Sequence, residues 1–408
     1  MITVQEALDT ILKEVAPLML ESVRLEDALG RTLGEDVRAR WPNPMWNNSA
    51  MDGYAVRSVD TLGASEEGPV RLKVIYDLPA GSMPGRPVGQ GEAIRIMTGA
   101  PMPDGADGVI MVEKTGAAPD NGVLIRAVVK PGEHVRVCGE DFKKHDVVVK
   151  KGAIIRPAET AMLAATGAPF VFVYKRPRVA VISTGDELVD ISQTPPPGKI
   201  TNSNGYTLAA LVAECGAEPI QLGIARDNRE SLLEKLKQAA EADCIVSSGG
   251  VSVGDFDFVK DVLKELGSRM LFWKVAMKPG KPLAFGVIGG KPAFGLPGNP
   301  VSSMVAFEQF VKPALFKMSG RAEIERAALP ASLEKDLRIK SGRVNFIRAA
   351  MRIDATGITV TPLDGQGSAL LTTMVAANSY IVVPKESEGF KKGDMVKVQP
   401  FDMTAFYK

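Results

Sequence analysis

Histidine and cysteine are scarce in this chain, and their scarcity excludes several kinds of site. Among 408 residues there are two histidines and three cysteines. Cys138, Cys215 and Cys244 lie far apart and form no Cys-x-x-Cys pair, which argues against a zinc site and against a disulfide framework. Cys215 and Cys244 lie in apolar segments, so we expect them to be buried structural thiols. No Ser/His/Asp or Cys/His catalytic arrangement can be argued.

An excess of charge of one sign is also missing. The chain has 49 Lys and Arg against 48 Asp and Glu, which leaves a formal net charge of +1. Bulk binding of nucleic acid needs a basic surplus, so this balance argues against it. No apolar run approaches the ~18 residues of a membrane span. The N-terminal segment has the pattern of a charged amphipathic helix capped by Thr3, which is not that of a signal peptide. We expect a soluble, cytoplasmic protein that binds neither nucleic acid nor membranes.

The length and the succession of patterns predict a multidomain α/β plus β protein. A chain of 408 residues is too long for one ordinary core. Short β segments fill about residues 57–137, strands alternate with helices from Arg178 onward, and alternating β patterns return after about residue 328. The predicted domains are a small connecting α/β domain (21–44 and 138–175), an all-β insert (45–137), a central three-layer α/β domain with a parallel-rich sheet (1–20 and 176–325) and a C-terminal β-barrel-like domain (326–408).

Acidic residues follow three successive strands of the predicted α/β domain. Glu187, Asp227 and Asp257 each come shortly after a buried strand. The carboxyl ends of parallel strands meet at one edge of a sheet, where ligands bind. We therefore expect the three carboxylates to converge there. Asp227 has a second interpretation as the N-cap of the helix Glu230–Ala240, because Asp is common at N-caps for stability alone. Ser203 is expected to be the N-cap of the helix that comes before Glu230–Ala240 in the chain.

A glycine-rich stretch after the third strand is a candidate for anion binding. It reads Gly249-Gly250-Val251-Ser252-Val253-Gly254-Asp255. Small residues let backbone N–H groups approach an anion, and nearby acids and lysines suit a phosphate handled together with a divalent cation. The spacing is not the Gly-x-Gly-x-x-Gly fingerprint, and no Walker Lys-Ser/Thr is present. A merely tight connection is the alternative interpretation.

Two further turns contribute to the same prediction. Lys274, Lys278 and Lys281 surround a turn that two prolines and a glycine make rigid. A solvated face is the alternative, but a rigid turn suits a fixed binding role better. The turn Gly295–Pro300 is predicted to reach the same edge of the sheet, with Asn299 as the N-cap of the next helix. Carboxylates, lysines and a bound cation together favour phosphoryl or oxyanion transfer.

Acids in glycine-bounded turns also occur outside the predicted α/β domain. Asp52 lies between the irregular segment Ala39–Met51 and a strand, and Asp141 follows Gly139-Glu140. The tryptophans and asparagines of the irregular segment suit a binding wall. A packed connector between domains is an equally good interpretation of that segment.

Seven motifs resemble those of the molybdopterin molybdenumtransferase family, which includes the C-terminal domain of gephyrin, over essentially the whole chain. They are Asn48–Ala55, Met97–Ala100, Gly139–Asp141, Ser183–Leu188, Gly249–Asp255, Lys278–Pro282 and Gly295–Pro300. The resemblance implies Mg²⁺-dependent insertion of molybdate into adenylylated molybdopterin, with release of AMP, during molybdenum cofactor biosynthesis. It also implies an elongated homodimer with active sites shared between subunits. Molybdopterin adenylyltransferase and apo-molybdoenzymes are further implied partners.

The resemblance also implies roles for individual residues. The implied catalytic residues are Asp52, Thr98, Asp141, Glu187, Asp227, Asp257, Lys274 and Lys278, of which Glu187 and Asp227 would hold Mg²⁺ and the first three would come from the partner subunit. The implied residues that bind the pterin adenylate and the oxyanion are Thr184, Gly185, Gly249, Gly250, Ser252, Gly254, Asp255, Lys281, Pro297, Gly298, Asn299, Pro300, Ser302, Arg343 and Ser368. The match at Arg343 is loose.

Two alternative functions share parts of this resemblance. One is a non-catalytic molybdopterin-binding or scaffold protein, since the gephyrin domain also serves in receptor clustering. The other is a molybdopterin adenylyltransferase, which would resemble only the Arg178–Lys317 portion. That alternative leaves the β insert and the C-terminal β domain unexplained.

Overall fold

The computed structural model describes residues 1–249, 262, 265–340, 342–355 and 357–402. By its internal contacts the chain divides into two compact units. The larger, unit 1, comprises Met1–Glu35, Lys151–Arg156 and the described residues of Phe170–Lys408. The smaller, unit 2, comprises Asp36–Lys150 and Pro157–Pro169. Among the described helices, none is long and apolar enough to cross a membrane.

The helices and strands are numbered here in chain order. The α-helices with described bounds are α1 (Val4–Glu14), α2 (Pro157–Ala165), α3 (Ser203–Glu214), α4 (Arg229–Gln238), α5 (Pro300–Ala306), α6 (Lys312–Met318) and α7 (Leu371–Ala376), and a π-helical stretch, Phe307–Val311, joins α5 to α6. The strands up to residue 149 are β1 (Leu20–Arg24), β2 (Val37–Arg38), β3 (Asn48–Ser49), β4 (Gly53–Val56), β5 (Val70–Leu78), β6 (Glu92–Ile96), β7 (Gly108–Met111), β8 (Thr115–Ala118), β9 (Gly122–Ile125), β10 (Val135–Arg136) and β11 (Val147–Val149). The later strands are β12 (Phe170–Tyr174), β13 (Arg178–Thr184), β14 (Leu188–Val189), β15 (Ile200–Thr201), β16 (Glu218–Ala225), β17 (Cys244–Ser248), β18 (Arg269–Lys274), β19 (Met277–Lys278), β20 (Pro282–Ile288), β21 (Lys291–Leu296), β22 (Leu329–Leu333), β23 (Leu337–Arg338), β24 (Val344–Asp354), β25 (Gly357–Pro362), β26 (Ser379–Val383), β27 (Gly389–Phe390) and β28 (Met395–Pro400).

The central sheet of unit 1 has the strand order β16-β13-β17-β21-β20-β18. The first four strands are parallel, β20 pairs with β21 in antiparallel orientation, and β18 pairs with β20 in antiparallel orientation. Alternate residues of β13 face opposite sides: Val179 and Val181 join a core with α1 and α3, whereas Ala180 and Ile182 join a second core with α4. Burial on both faces explains why the strands are continuously apolar. The predicted three-layer domain with a parallel-rich sheet is confirmed.

The cysteines of this sheet and its helices are buried, as predicted. Cys215 ends α3, and Cys244 begins β17. Burial raises the pKa of the Cys215 thiol to about 12, and it also raises the pKa of Cys244. A thiol whose pKa lies that high is uncharged and unreactive near neutral pH, so both residues serve as core side chains.

The predictions of helix N-caps were right at Thr3 and wrong at two other positions. Thr3 and Glu6 form a reciprocal capping box at the start of α1. The N-cap of α3 is Asn202 rather than Ser203, and the N-cap of α4 is Asn228 rather than Asp227. In both cases the asparagine side chain accepts a hydrogen bond from the backbone N–H three residues later. The carboxylate of Asp227 is therefore available for another contact.

The C-terminal strands of unit 1 close into a five-stranded barrel. Strands β24, β25, β22, β28 and β26 pair in that order, and β26 pairs again with β24. Closure leaves these strands without the free sheet edge that invites aggregation. Ala331, Ile347, Val360 and Ile381 lie in its core. Strand β19 adds to β24 from outside the barrel, in parallel. The predicted barrel-like domain is confirmed.

Unit 2 is built around a six-stranded sheet with the order β7-β4-β6-β5-β9-β8. Its pairings are antiparallel except for β5 with β6. Neighbouring residues of β4 face opposite sides, so that Val56 joins one apolar cluster and Ala55 another. The sheet confirms the prediction of a β-rich insert.

Candidate active site

The carboxyl ends of the four parallel strands of unit 1 lie at one edge of the sheet. In register, Thr184 pairs with Ala225, and Ser248 pairs with both Ser183 and Leu296. Backbone hydrogen bonds continue the pairing beyond the strands: the Gly185 N–H donates to the Ala225 carbonyl at 3.2 Å, and the Gly249 N–H donates to the Leu296 carbonyl at 3.1 Å. The loops that leave these strands therefore begin side by side.

Glycine is required at position 249, where the loop after β17 begins. Gly249 has a φ of +88°, and a Cβ atom there would overlap the carbonyl oxygen of Thr184. A Cβ atom on Gly298, in the loop after β21, would lie 3.8 Å from the Cα atom of Gly249. Glycines have no side chain to shield their N–H groups, so a ligand can contact such backbone directly. The other predicted members of the glycine-rich loop, Gly250, Ser252, Gly254 and Asp255, lie outside the described residues.

Asp186 links the loops that carry Glu187 and Asp227. The Asp186 N–H donates to Asp227 Oδ2 at 3.1 Å, and the Asp227 N–H donates to Asp186 Oδ1 at 3.2 Å. The two loops thus exchange a reciprocal pair of hydrogen bonds, which is the contact that replaces the predicted helix cap. Asp227 thus contacts Asp186, the residue directly before Glu187, whereas Asp257 lies outside the described residues.

The carboxylate of Glu187 is exposed and folds back over Gly185. Its oxygens occupy the position where a Cβ atom on Gly185 would lie. Within the described part of the chain, the Glu187 side chain forms no hydrogen bond or ion pair. Carboxylate oxygens are ligands that Mg²⁺ prefers, and Mg²⁺ commonly needs only one or two of them beside waters and phosphates. No group of three or more acidic, histidine or cysteine side chains suited to a metal occurs among the described residues.

Two cations that the sequence did not single out hold the Asp186–Leu188 backbone. Lys199 Nζ donates to the Asp186 carbonyl at 2.6 Å. Arg226 Nη1 donates to the Leu188 carbonyl at 3.0 Å and to the Asp186 carbonyl at 3.5 Å. Neither residue lies in a recognisable motif. The only sequence signal is that Arg226 follows a strand directly.

The three predicted lysines surround a turn between β18 and β20. Lys274 ends β18, and the Val275 N–H donates to the Lys281 carbonyl at 3.0 Å. Lys278 lies in β19, opposite Asn345 of β24. All three lysines are exposed, and their side chains have no hydrogen-bond or ion-pair partner among the described residues. Their charge is therefore available to an anion.

The lysine turn lies beside the start of α5. A Cβ atom on Gly280 would be 3.6 Å from the Ser302 carbonyl oxygen. The Val301 N–H donates to the Ser368 carbonyl at 3.1 Å. The glycine-rich turn of the barrel that contains Ser368 therefore also lies beside the start of α5. Asn299 is the N-cap residue, as predicted, but its exposed side chain makes no capping hydrogen bond. Ser302, Ser368 and Asn299 are thus gathered near the lysines.

The remaining predicted positions lie close to this group. Pro297 follows β21 directly and its carbonyl accepts a hydrogen bond from Ser248 Oγ at 3.4 Å, whereas Pro300 opens α5. Arg343 immediately precedes β24, whose first residue, Val344, pairs with Met277 of β19. The loosely matched Arg343 therefore lies directly before the strand that pairs with Lys278.

Arg348 supports the barrel turn that carries Ser368. Its side chain is 1% exposed. The guanidinium donates to the carbonyls of Gly365 at 3.1 Å and Gly367 at 3.0 Å, and to Gln366 Oε1 at 3.3 Å. Burial lowers the pKa of Arg348. Each of these contacts uses an N–H donor of its planar guanidinium group. The signal missed in the sequence is an arginine in the middle of the apolar strand β24.

In unit 2, Asp52 and Thr98 are in direct contact. The backbone N–H and the hydroxyl of Thr98 both donate to Asp52 Oδ1, each at 2.7 Å. These donors, the N–H first, lower the pKa of the exposed Asp52 carboxyl because they stabilise its charged form. Asp52 directly precedes Gly53, where a Cβ atom would overlap the Ile110 carbonyl.

Asp141 lies in another loop of unit 2. Asn43 Nδ2 donates to Asp141 Oδ2 at 3.0 Å, and the Asp141 N–H donates to the Asn43 carbonyl at 3.0 Å. Asn47 joins the neighbouring loops, since its Oδ1 accepts from the Cys138 N–H and its carbonyl accepts from the Met102 N–H, both at 2.8 Å. Asp141 also lines a cleft of about 460 Å³. The irregular segment is thus a packed support that also presents side chains.

Three family models match consecutive parts of the chain. They are the MoeA N-terminal region (domain I and II) at residues 2–167, the probable molybdopterin binding domain at residues 180–317 and the MoeA C-terminal region (domain IV) at residues 330–401.

Curated proteins and solved structures match over nearly the whole chain. The molybdopterin molybdenumtransferase of Staphylococcus aureus (strain COL) is 39% identical over 398 residues, which is 97% of this chain and 95% of that protein. The molybdopterin molybdenumtransferase of Staphylococcus epidermidis (strain ATCC 12228 / FDA PCI 1200) is 37% identical over the same shares. The crystal structure of the molybdopterin biosynthesis moeA protein from Pyrococcus horikoshii OT3 superposes with a TM-score of 0.85 at 33% identity, covering 98% of this chain and 100% of that chain.

Proposed function

The chain belongs to the molybdopterin molybdenumtransferase family, and we propose that it inserts molybdate into adenylylated molybdopterin and releases AMP. The observation that carries this proposal is the pairing of two different kinds of site in unit 1. One is an edge of glycines and carboxylates at the strand ends, and the other is an exposed cluster of lysines beside the start of α5, whose side chains have no partner among the described residues. A phosphate ester and a free oxyanion need those two chemistries.

The strand-end edge is proposed to hold the pterin adenylate. Gly185 and Gly249 bring backbone close to the ligand, where N–H groups can bind phosphate oxygens. Glu187 and Asp227 would hold Mg²⁺, which when bound supplies positive charge to the phosphates. The carboxylate pair would thereby orient the phosphoanhydride. Attack of water on the anhydride would break its P–O–P bond and leave AMP and the pterin phosphate, and donors around the leaving phosphate favour that cleavage. Lys274 is proposed to provide such a donor.

The lysine turn is proposed to hold molybdate. Molybdate is a tetrahedral dianion, which suits the ammonium groups of Lys278 and Lys281 and the hydroxyl groups of Ser302 and Ser368. Arg343 directly precedes the strand that pairs with Lys278 and would add a guanidinium. Cations that no carboxylate in the described part of the chain neutralises are suited to an anionic substrate.

We propose that Asp52, Thr98 and Asp141 complete the site from the partner subunit of a homodimer. Support comes from the apolar side chains around them: Met45, at 50% exposure, and Val137, at 56%, lie on the same loops. An interface with a second subunit would cover these apolar side chains. Sedimentation over a dilution series should show a dimer, and mixing D52N with E187Q chains should restore activity that neither variant has alone. A persistent monomer, or no recovery on mixing, would contradict the shared site.

The proposed reaction takes place in the cytoplasm, where thiols stay reduced, since all three cysteines are unpaired. An adenylyltransferase would supply the substrate, and apo-molybdoenzymes would accept the product. The experiment that tests the proposed function is incubation of the purified chain with adenylylated molybdopterin, molybdate and Mg²⁺. AMP should appear only when the chain is present, and its absence with folded protein would overturn the proposal.

A further inference from the structure

Lys199 and Arg226 hold the backbone of the candidate Mg²⁺ ligand Glu187 from one side. We propose that these two cations are positioning residues, which fix the carboxylates of Glu187 and Asp227 in the geometry that Mg²⁺ and the substrate phosphate require. This inference rests on the proposed function and names residues that the family resemblance did not assign.

Three consecutive carbonyls around Glu187 are engaged. The Asp186 carbonyl accepts from Lys199 Nζ at 2.6 Å, and the Leu188 carbonyl accepts from Arg226 Nη1 at 3.0 Å. Between them, the Glu187 carbonyl accepts from the Ile200 N–H at 2.8 Å. The carbonyls of Glu187 and of both its neighbours are thus hydrogen-bonded, whereas the Glu187 carboxylate has no partner among the described residues.

The contacts of Lys199 and Arg226 with the backbone carbonyls, called the clamp from here on, also fix Asp227. Arg226 precedes Asp227 directly, so its side-chain contacts tie the loop after β16 to the loop after β13. The reciprocal hydrogen bonds between Asp186 and Asp227 then complete a closed ring of contacts between the two loops. Of the two cations, Arg226 joins the two loops directly, beside those two backbone-to-carboxylate bonds and the Gly185 N–H bond. Lys199 instead fixes the Asp186 carbonyl, in the residue that makes both reciprocal bonds to Asp227.

The choice of acceptor by these cations also points to positioning. Both side chains are exposed and lie near acidic residues, yet neither forms an ion pair in the described part of the chain. A cation that binds carbonyls leaves the neighbouring carboxylates free to bind a metal. Hydrogen bonds from charged donors are also stronger than neutral ones, so the clamp holds the loop without neutralising its ligands.

An alternative role for Lys199 is to anchor the exposed loop between β14 and β15, which contains Pro195-Pro196-Pro197. That role would leave the Mg²⁺ requirement of the enzyme unchanged. The positioning role predicts a change in metal dependence and in the exchange of two particular backbone N–H groups, those of Asp186 and Asp227, which donate to each other's carboxylates.

The test compares K199M and R226M with wild type, with K199R as the conservative variant and K237M as the control. Lys237 is exposed on α4, and its side chain has no partner among the described residues. Three quantities are measured on the full chain: amide hydrogen exchange of peptides covering 184–190 and 224–229, Mn²⁺ binding by electron paramagnetic resonance, and the Mg²⁺ concentration for half-maximal AMP release.

We expect K199M and R226M to speed amide exchange in both peptides. Both variants should also weaken Mn²⁺ binding and raise the Mg²⁺ requirement, each on the order of tenfold, which corresponds to loss of one charge-assisted hydrogen bond. The KM for molybdate should stay unchanged, K199R should recover most of the loss, and K237M should match wild type. Unchanged Mn²⁺ binding in both variants, or an equal effect of K237M, would overturn the inference. If wild type releases no AMP, the proposed function fails, and exchange and Mn²⁺ binding still decide the role of the clamp.

Discussion

Thr98 donates two hydrogen bonds to a single oxygen of Asp52, one from its backbone N–H and one from its hydroxyl, each at 2.7 Å. Two donors on one carboxylate oxygen stabilise the charged form, and the pKa of Asp52 lies below its ordinary value of 3.8. The contact keeps Asp52 negative and fixes its direction on an exposed loop. A fixed anion of this kind suits the orientation of a bound cationic or proton-donating group.

Replacing Thr98 by Val should raise the pKa of Asp52 toward its ordinary value, because the hydroxyl donor is lost while the N–H remains. A carboxyl whose folded pKa is depressed stabilises the fold above its unfolded pKa, and this contribution disappears as the pH falls through the folded pKa. The stability difference between T98V and wild type should therefore vanish in strong acid. Carboxyl titration by NMR measures the shift. T115V, which removes a hydroxyl bonded only to the Val112 carbonyl, should leave the Asp52 pKa unchanged.

Glu187→Gln and Asp227→Asn should each lower the rate of AMP release roughly 10²-fold, since each removes negative charge from the proposed Mg²⁺ site. Both amides are close in size to the acids they replace, so circular dichroism and sedimentation should match wild type. E230Q is the control, because Glu230 is exposed in the first turn of α4 and its side chain has no partner among the described residues. Rates near wild type in either test variant would contradict the assigned role.

Lys278→Met should raise the KM for molybdate at least roughly tenfold, because a charged hydrogen bond to the oxyanion is lost. The Mg²⁺ requirement should change little, since Lys278 lies in the lysine turn and not at the strand-end edge. Inhibition by sulfate, another tetrahedral dianion, should weaken in parallel. The exposed Lys13 of α1 provides a matched K13M control. A KM that does not move would show that the lysine turn has another purpose.

Arg348→Met should lower the free energy of unfolding by about 2–4 kcal/mol, because several buried carbonyls would lose their donor. Urea denaturation measures the loss. Arg352 of the same strand is exposed and has no side-chain partner in the described part of the chain, so R352M should cost little. If R348M is as stable as R352M, Arg348 does not hold the turn of Ser368.

The main architecture could be predicted because it follows from local patterns. Apolar strands that each end in small or acidic residues specify a parallel sheet with one ligand-binding edge, and the structure has that sheet with Glu187 and Asp227 at its edge. Predictions that depended on one residue were less accurate. The N-caps are Asn202 and Asn228, and each lies one residue away from the predicted N-cap. The prediction failed because the adjacent polar residue was equally suitable in sequence.

The supporting contacts could not be predicted, because they join residues that only the folded loops bring together. Lys199 reaches a carbonyl 13 residues earlier in the chain, and Arg226 reaches one 38 residues earlier. Arg348 lies within a strand whose neighbours are apolar, and its acceptors lie in a distant turn. Composition and spacing carry no information about such acceptors, which are backbone carbonyls and have no residue type of their own.

The central claim is that cleavage of the adenylate is coupled to the insertion of molybdenum. The most direct measurement is a single-turnover reaction of the purified chain with adenylylated molybdopterin, Mg²⁺ and molybdate, in which AMP and pterin-bound molybdenum are quantified together. We predict that the two products form in equal amounts and at the same rate. Formation of AMP without bound molybdenum, or of neither product by a folded protein, would contradict the account.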